Sequence, residues 1–575
     1  MCGINGIISA DYDPAYIFGN FNLSAHRGPD KTTFIDTKDF SLCFHLLAIS
    51  DVKHAMIQPY TIRLNDGHVI YIMCNGEIFN HEELRKIIIE NHYHDGNGND
   101  YVFQSNSDCE VLIPLYLNLG MEFLNMLDAD FSIAIYDITE TKKTLYLTRD
   151  RIGTRELYYV SNHNGPTFIN GQISTFAFSS EMRSIQFCGE VHEFPPSTVM
   201  EIDFTNRYLM KIKEWKYYNL GENIIELGPE VGNEEIERNI REILKESVRL
   251  RIPKEVDFCF LLSGGLDSSI SCALGLEYLN EINYKKNIIF GTIGLISGSP
   301  DIDYSIILFK FFKNKYPNLK LVHDIFYVEE RECLETFDFI PNITATYDIT
   351  TDRCSVFQFL VIKKLKQKYR NFKVLITADL SDEIFGSYLF FRKSPSSYES
   401  KKVAIQYVKE NYKYDLKRLA TACAYLSVEA RPVFTSYKLI DYVTKIPASF
   451  LHCIGRMEKL ILRNSFSSYL PYEICYRVKC AFSDGVSCET KSWWEVIDDY
   501  VNEQMSDEYF EFKKQEYLNL YGDKYIIPKT KEALYIFEKF NYYYPNQITI
   551  LDKYWFPMFV ECNGNPSARI LKIEN

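Results

Sequence analysis

A seven-residue run of glycine, serine and aspartate, Ser-Gly-Gly-Leu-Asp-Ser-Ser at 263–269, constrains the fold of this chain more than any other feature. The mostly apolar stretch 256–262 precedes it and predicts a buried strand, and the residues from Ile270 onward can form a helix. Glycines let the backbone approach a ligand closely, and the free N–H groups of a first helical turn attract anions. The run lacks the Gly-Lys-Ser/Thr of a P-loop. We therefore predict another kind of phosphate site, in which Asp267 holds a magnesium ion.

Three more β-rich stretches, 287–295, 319–328 and 372–377, alternate with helical patterns and predict a parallel α/β sheet. Ligands of such sheets bind at the carboxyl ends of the strands. The last stretch runs into Thr-Ala-Asp-Leu-Ser-Asp-Glu at 377–383, which places three acids within five residues. We interpret Asp382 as a second magnesium ligand and Asp379 as a possible base; a solvated acidic turn is the alternative.

The first 210 residues contain many strand patterns and several candidate catalytic groups. If the initiator methionine is removed, Cys2 gains a free α-amino group, which titrates near neutrality and can act as general base for the thiol. Asn75 and Gly76 follow a predicted strand, so they could form an oxyanion hole or a type I′ turn. Asp108 could bind an α-amino group or cap a helix.

Composition excludes several functional classes. The net charge of −14 argues against nucleic-acid binding, because such surfaces are basic. No apolar run is long enough to span a membrane. The 15 cysteines show neither CxxC spacing nor a regular framework, and residues 1–14 do not form a signal peptide. We therefore expect a cytoplasmic protein with reduced thiols that acts on small molecules and binds neither nucleic acid nor membrane.

Five motifs of the first half together resemble the class II glutamine amidotransferase domain: Met-Cys-Gly-Ile at 1–4, His-Arg-Gly-Pro-Asp at 26–30, Asn-Gly-Glu-Ile-Phe-Asn at 75–80, Ser-Asp-Cys-Glu at 107–110 and Arg-Asp-Arg-Ile-Gly at 149–153. The resemblance implies an N-terminal nucleophile fold of αββα layers over residues 2–210, with Cys2 as nucleophile and Asn75 and Gly76 as oxyanion hole. It implies this set of glutamine-binding residues: Leu46, Leu47, Ala48, Ile49, Ser50, Asn75, Gly76, Glu77 and Asp108.

The second half resembles N-type ATP pyrophosphatases at 263–269. Its further motifs are Gly-Ser-Pro-Asp at 298–301, Tyr-Asp-Ile-Thr-Thr-x-Arg at 347–353, Ser-Asp-Glu-Ile-Phe-Gly at 381–386, Val-Glu-Ala-Arg at 428–431 and Phe-Ser-Asp-Gly-Val at 482–486. With the first half, these motifs resemble the glutamine-hydrolysing asparagine synthetases from Met1 to about Phe540. A synthetase domain over residues 228–545 is implied, with ATP and Mg²⁺ as cofactors and a homodimer as the assembly.

The family mechanism assigns roles to residues of this sequence. Aspartate attacks ATP to give β-aspartyl-AMP and pyrophosphate, and ammonia from glutamine then passes through an internal tunnel and displaces AMP. The implied ATP-binding residues are Leu261, Ser263, Gly264, Gly265, Asp267, Ser268, Ile293, Thr377, Ala378 and Lys479. The implied aspartate-binding residues are Thr350, Thr351 and Arg353, the metal ligands are Asp267 and Asp382, and Asp379 is the base that deprotonates ammonia.

Two departures from the family pattern bear on activity. Asp379 stands where the family has Glu, one methylene longer, and Leu46 stands where the family has an Arg that binds the glutamine α-carboxylate. The alternatives are therefore an ammonia-dependent synthetase with a weakened glutaminase site, and a β-lactam synthetase-like or other amide ligase on the same scaffold. A catalytically silent interaction protein is a further alternative, which the retained Asp267, Asp382 and Lys479 disfavour.

Leu46 predicts weak glutamine binding. Loss of a charge-assisted Arg–carboxylate contact costs roughly 1.5–3 kcal/mol, so we expect the KM for glutamine to rise by about ten- to a hundred-fold, or the activity to be lost. Partial compensation by His45 is an alternative, although adjacent residues of a strand point to opposite faces. Glutamate release at increasing glutamine concentrations measures this KM. A value in the usual micromolar to low millimolar range would contradict the prediction.

Overall fold

The structure, a computed structural model, describes residues 1–9, 12–52, 57–162, 175–222, 224–228, 230–488 and 490–567. Within these ranges the chain divides into two compact units. The first comprises 1–220 together with the short segments 253–256 and 424–429, and the second comprises 221–252, 257–423 and the chain from 430 onward. Among the described residues, no helix combines the length and the apolar character needed to cross a membrane.

The first unit consists of two antiparallel sheets with helices packed against them. Its strands in chain order are β1 (Gly3–Ile8), β2 (Lys31–Asp36), β3 (Ser41–Leu46), β4 (Tyr60–Arg63), β5 (Val69–Ile78), β6 (Ala129–Ile138), β7 (Lys143–Arg149), β8 (Tyr158–Asn162), β9 (Thr175–Ser179), β10 (His192–Glu193), β11 (Thr198–Asp203) and β12 (Lys211–Lys216). Its helices are α1 (Pro14–Phe21), α2 (His81–Glu90) and α3 (Leu112–Leu119).

Over the described residues, the two sheets have the strand orders β10-β8-β9-β1-β3-β2 and β12-β11-β7-β6-β5-β4. Apolar side chains from both sheets, such as Ile4 and Phe44 on one and Met73 and Leu147 on the other, form a single buried cluster. A second cluster joins β5 and β6 to α2 and α3. The central strands β1, β3, β5 and β6 are buried over most of their length. The predicted N-terminal nucleophile fold is confirmed.

The second unit is built on a parallel sheet. Its strands are β13 (Asp257–Leu261), β14 (Asn287–Leu295), β15 (Lys320–Val328), β16 (Phe372–Thr377) and β17 (Glu429–Pro432). Its helices are α4 (Asn233–Arg251), α5 (Leu266–Glu281), α6 (Pro300–Lys315), α7 (Glu330–Thr344), α8 (Ile349–Lys368), α9 (Ser381–Ile384), α10 (Ser397–Glu410), α11 (Asp415–Tyr425), α12 (Tyr437–Lys445), α13 (Ala448–Leu451), α14 (Leu460–Phe466), α15 (Tyr472–Cys475), α16 (Phe482–Gly485), α17 (Trp493–Gln504), α18 (Asp507–Tyr521) and α19 (Lys531–Tyr543).

The order of this sheet, β15-β14-β13-β16-β17, fixes where a ligand can bind. The strands β13 to β16 pair in parallel, which confirms the predicted parallel α/β sheet. The chain proceeds outward from β13 to β14 and β15 and then returns to the other side of β13 as β16. Such a reversal opens a crevice at the carboxyl ends of the two central strands. The loops that follow β13 and β16 carry the predicted phosphate site and the acidic run.

Candidate active sites

The loop after β13 adopts a conformation that requires glycine. Gly264 has a φ of +67°, and a Cβ atom at this position would lie 2.5 Å from the Cβ of Tyr304. The Ser263 hydroxyl accepts a hydrogen bond from the Gly265 N–H at 3.2 Å and lies 2.9 Å from the Ser268 hydroxyl. Helix α5 begins directly after Gly265, so the positive amino end of the helix dipole faces the crevice.

A cavity of about 200 Å³ lies between this loop and the acidic run that follows β16. Most of the residues predicted to bind ATP or metal line it, namely Leu261, Ser263, Gly265, Asp267, Ser268, Thr377, Ala378, Asp382 and Lys479, and the predicted base Asp379 lines it as well. Gly264 does not line this cavity, but its positive φ sets the course of the loop. Ile293 is buried within β14 and does not line this cavity.

The two predicted metal ligands meet at a lysine that sequence reasoning missed. The Lys459 ammonium donates to Asp267 Oδ2 at 2.6 Å and to Asp382 Oδ1 at 2.7 Å. The second oxygen of Asp382 accepts from Lys479 Nζ at 2.6 Å. Burial alone would raise the pKa of Asp382, but the two lysines outweigh it and hold the pKa well below its usual range. The site is therefore a compact, alternating cluster of two carboxylates and two ammonium groups.

Asp379 is held by an arginine that the sequence did not single out. Arg418 donates to Asp379 Oδ1 at 3.0 Å and also contacts Asp415 Oδ1 at 2.8 Å. Burial raises the pKa of Asp379 above its usual value, although Arg418 opposes the shift. A carboxylate with a raised pKa is a better proton acceptor at neutral pH, which fits the predicted base.

A second cavity of about 150 Å³ adjoins the first and shares Asp382 and Lys479 with it. Two of the three residues predicted to bind aspartate, Thr350 and Arg353, line this cavity. Thr351 does not, because its N–H and hydroxyl both donate to Asp348 Oδ1 at 2.8 Å in the first turn of α8. Thr351 thus holds the start of the helix that carries the other two.

Glu532 of helix α19 and Asn565 hold the guanidinium of Arg353 in place. It donates through Nε to Glu532 Oε1 at 2.6 Å, forms a second contact with the other Glu532 oxygen, and donates to Asn565 Oδ1 at 3.0 Å. Both side chains of this ion pair are 5% exposed. Arg353 therefore reaches the cavity as a preorganised charge whose counter-ion comes from a distant part of the sequence.

In the first unit, the predicted nucleophile lies at the start of β1. Cys2 Sγ is 3.9 Å from the Leu47 carbonyl, and the Cys2 carbonyl accepts from Arg27 Nε at 3.0 Å. Burial raises the pKa of the Cys2 thiol to about 11 in the chain that retains Met1, although the Met1 ammonium opposes the shift. Burial also lowers the pKa of that ammonium to about 6. Both shifts describe the chain with Met1 in place, whereas the α-amine of Cys2 becomes free only after Met1 is removed.

The predicted oxyanion hole lies at the end of β5. Asn75 is fully buried, and both heteroatoms of its amide lack a hydrogen-bond partner within the part of the chain that the structure describes. A buried amide normally finds a partner, so both heteroatoms of Asn75 have hydrogen-bonding capacity that the described residues leave unused. A Cβ atom on Gly76 would come within 2.5 Å of the Asp130 carbonyl oxygen, so this position requires glycine.

The remaining predicted glutamine residues lie at two places, the end of β5 and the end of β3 with the stretch that follows it. Glu77 and Asp108 are buried, and one oxygen of Asp108 accepts from the Ile78 N–H at 2.9 Å. Leu46, at the end of β3, packs partly buried against the same apolar cluster as Cys2. The stretch 47–50 continues from it, and the Ala48 N–H donates to Asp30 Oδ2 at 2.8 Å.

His45 does not take over the role of the missing arginine. It is fully buried, with its Nδ1 at 2.9 Å from the Thr32 hydroxyl and its Nε2 at 3.1 Å from the Phe21 carbonyl. Both ring nitrogens are engaged within the fold. Nothing in these contacts supplies a cation for a glutamine carboxylate.

Glu532→Ala should destabilise the second unit strongly, because it leaves the buried Arg353 charge uncompensated. Breaking a buried ion pair in this way costs about 3–5 kcal/mol. The matched control is Glu516→Ala, which removes a more exposed ion pair with Lys513 within α18 and should cost less than about 1 kcal/mol. Urea unfolding measures both free energies, and equal losses in the two variants would contradict the proposed tie.

Comparison with known proteins places both sites in one family. The glutamine amidotransferase domain model matches residues 1–218, and the asparagine synthase model matches 239–419 and 401–532. A probable glutamine-hydrolysing asparagine synthetase of Acanthamoeba polyphaga mimivirus is 33% identical, with 95% of each chain covered. The glutamine-hydrolysing asparagine synthetase of Gallus gallus is 29% identical over 100% of this chain and 99% of its own.

Asparagine synthetase B of Escherichia coli, also glutamine-hydrolysing, is 30% identical over 99% of this chain and 94% of its own. The two domain models match in the order in which the two sites occur, and the relatives cover nearly the whole chain. This chain therefore belongs to the glutamine-hydrolysing asparagine synthetase family.

Proposed function

We propose that this enzyme converts L-aspartate, ATP and L-glutamine into L-asparagine, L-glutamate, AMP and pyrophosphate through β-aspartyl-AMP. The observation that carries the proposal is the single cavity in which the glycine loop, Asp267, Asp382 and Lys479 converge. A polyanion with a bound cation matches this arrangement of amide donors, carboxylates and ammonium groups. The family relationship and the geometry support the same chemistry.

In the first step, an oxygen of the aspartate β-carboxylate attacks the α-phosphorus of ATP. The new P–O bond forms as the bond to the bridging oxygen breaks, and pyrophosphate leaves with both electrons of that bond. The loop at 263–268 would bind the phosphates, and Lys479 would neutralise charge on the leaving group. Thr350 and Arg353 would bind aspartate in the adjoining cavity.

The residues present fit a magnesium ion. Asp267 and Asp382 direct carboxylate oxygens at a common point where a cation already lies. Magnesium in nucleotide sites uses one or two carboxylates and takes its other ligands from phosphates and water. The described residues contain no group of three or more His, Cys, Asp or Glu side chains that could hold a metal ion. When bound there, Mg²⁺ would neutralise the departing pyrophosphate.

In the second step, ammonia attacks the carbonyl carbon of the activated β-carboxyl group. A C–N bond forms, a proton passes from nitrogen to Asp379, and the C–O bond to AMP breaks as AMP leaves. Arg418 donates to Asp379 Oδ1 and keeps the carboxylate in a fixed orientation. The other oxygen, Oδ2, would then accept the proton. The shorter aspartate places this oxygen farther from the nucleophile than glutamate would.

Glutamine hydrolysis would supply the ammonia. Once Met1 is removed, the α-amine of Cys2 accepts the thiol proton, and the sulfur attacks the glutamine amide carbon. The Asn75 amide and the Gly76 N–H would stabilise the resulting oxyanion. The proton then leaves with ammonia, and water hydrolyses the thioester to glutamate.

The same family resemblance supports a cytoplasmic homodimer.

Asparagine formation with two nitrogen sources tests the proposal. The enzyme is supplied with aspartate, ATP and Mg²⁺, once with glutamine and once with ammonium. Product from both confirms the complete enzyme. Product from ammonium alone identifies the ammonia-dependent alternative, which Leu46 favours because an apolar side chain cannot pair with the glutamine carboxylate. Absence of asparagine with either source would contradict the proposed product and direct attention to another amide ligase.

Asp379→Glu should raise synthetase turnover with ammonium. The added methylene moves the carboxylate by about 1 Å towards the position that the family uses, and a shift of that size can change rates on the order of a hundred-fold. The control is Asp379→Asn, which keeps the size of the side chain but cannot accept the proton and should lose turnover. An unchanged or lower rate in Asp379→Glu would count against Asp379 as the base.

A further inference from the structure

A lysine ammonium lies at the point proposed for the metal. The two oxygens that Lys459 Nζ contacts, Asp267 Oδ2 and Asp382 Oδ1, come from the two carboxylates proposed as magnesium ligands. The Lys459 side chain is 2% exposed, whereas the side chains of Asp267 and Asp382 are 15% and 17% exposed. The ammonium is therefore enclosed behind the carboxylates, and it cannot share this position with a metal ion.

We propose that Lys459 is an internal counter-cation that occupies the divalent-metal position of the nucleotide-free enzyme, so that a divalent cation binds only together with a nucleotide polyphosphate. The inference rests on the proposed ATP and metal site and adds a binding order to it. Lys459 acts here as a positioning residue that controls when the metal site becomes available.

The distances make the exchange of cations feasible. The ammonium contacts its oxygens at 2.6 and 2.7 Å. Magnesium binds oxygen at about 2.0–2.1 Å, so each carboxylate needs to move by only about half an ångström to hold the ion at the same place. The same pair of carboxylates can therefore serve an ammonium or a metal without rearrangement of the loops that carry them.

Charge explains why the exchange requires an anion. Two carboxylates that face each other disfavour joint ionisation unless a cation lies between them. The Lys459 ammonium supplies that cation when no metal is present. A divalent ion that entered alone would have to displace the ammonium into a cluster that already contains Lys479, which is bound to the other oxygen of Asp382. A polyphosphate in the cavity gives the displaced ammonium a new partner.

The backbone keeps Lys459 in place. It has a φ of +54°, in the left-handed region that residues other than glycine seldom adopt. Its neighbour Glu458 is fully buried and accepts from Arg463 at 2.6 Å, from Arg392 at 3.0 Å and from the Lys479 N–H at 2.9 Å. Surroundings that fix a residue in a rare conformation often serve a site, and these contacts place the ammonium between the two carboxylates.

Binding of Mn²⁺ to the full-length, nucleotide-free protein tests the inference. Electron paramagnetic resonance measures free Mn²⁺ during titration of the wild type, Lys459→Met and Lys459→Gln. We expect weak binding to the wild type and at least about tenfold tighter binding to both variants, because the competing charge is gone and the two oxygens that Lys459 contacted, Asp267 Oδ2 and Asp382 Oδ1, lose their cationic partner. Lys402→Met, on the exposed face of α10 with 69% of its side chain accessible, should match the wild type.

A second titration uses the wild type with an ATP analogue that has a methylene bridge between the α- and β-phosphates. In the mixture of protein, analogue and Mn²⁺, we expect more bound Mn²⁺ than in a control that contains the analogue without protein. If the nucleotide-free wild type binds Mn²⁺ as tightly as the Lys459 variants, the inference is wrong. It is also wrong if folded variants, judged by an unchanged thermal midpoint, bind as weakly as the wild type.

If the variants do not fold, the two wild-type titrations still decide the question. Tight binding without nucleotide overturns the inference, and tight binding only with the analogue supports it. Asparagine formation is assayed on the same wild-type preparation. A protein that shows the expected Mn²⁺ pattern but forms no asparagine would refute the proposed function and leave the cation exchange standing, whereas the reverse result would refute the exchange alone.

Discussion

The ion cluster of Asp267, Asp382 and Lys459 is the interaction on which the synthetase site depends. It joins the first turn of α5, the short helix α9 and the turn before α14. Lys459 lies 77 residues after Asp382 and 192 residues after Asp267 in the sequence. Without the lysine, the two carboxylates would repel each other at the carboxyl ends of adjacent strands. The ammonium thus fixes the spacing of the loops after β13 and β16, and this spacing defines the cavity between them.

The glutaminase site achieves preorganisation by different means. The pairing of β5 with β6 holds the Asn75 amide in a buried position where its hydrogen-bonding groups remain available within the described part of the chain. Arg27 fixes the backbone of Cys2 from the other side and is itself paired with Glu156 at 2.9 Å. In the first unit, the groups proposed to bind a ligand are the unpaired amide atoms of Asn75. In the second unit, they are charged side chains that are paired with one another and that would exchange these partners for a ligand.

Local sequence pattern was sufficient to predict the sheet of the second unit and the edge at which its ligands bind. The apolar stretches indicated the positions of β13 to β16, and the parallel arrangement brought Asp267 and Asp382 to one edge, as expected for residues that come after neighbouring strands. Lys459 was missed because it lies in an irregular turn, where no periodicity marks a lysine as buried. The ion pair of Arg353 could not be predicted from local pattern either, because its partner Glu532 lies on a helix 179 residues away in the sequence.

In the proposed mechanism, the ion pair of Arg353 with Glu532 holds the charge that binds the substrate acid, whereas other residues bind the phosphates. The cavity that Arg353 lines is formed partly by α8, whose arginine is held by Glu532 of α19, whereas the loops after β13 and β16 line the phosphate cavity. The two cavities share Asp382 and Lys479. Paired substitutions at 353 and 532 could exchange the charge that selects the acid while the phosphate loop stays intact. A lineage with this scaffold could thus evolve towards a new carboxylic acid through a helix near its carboxyl end and keep the ancestral adenylation machinery.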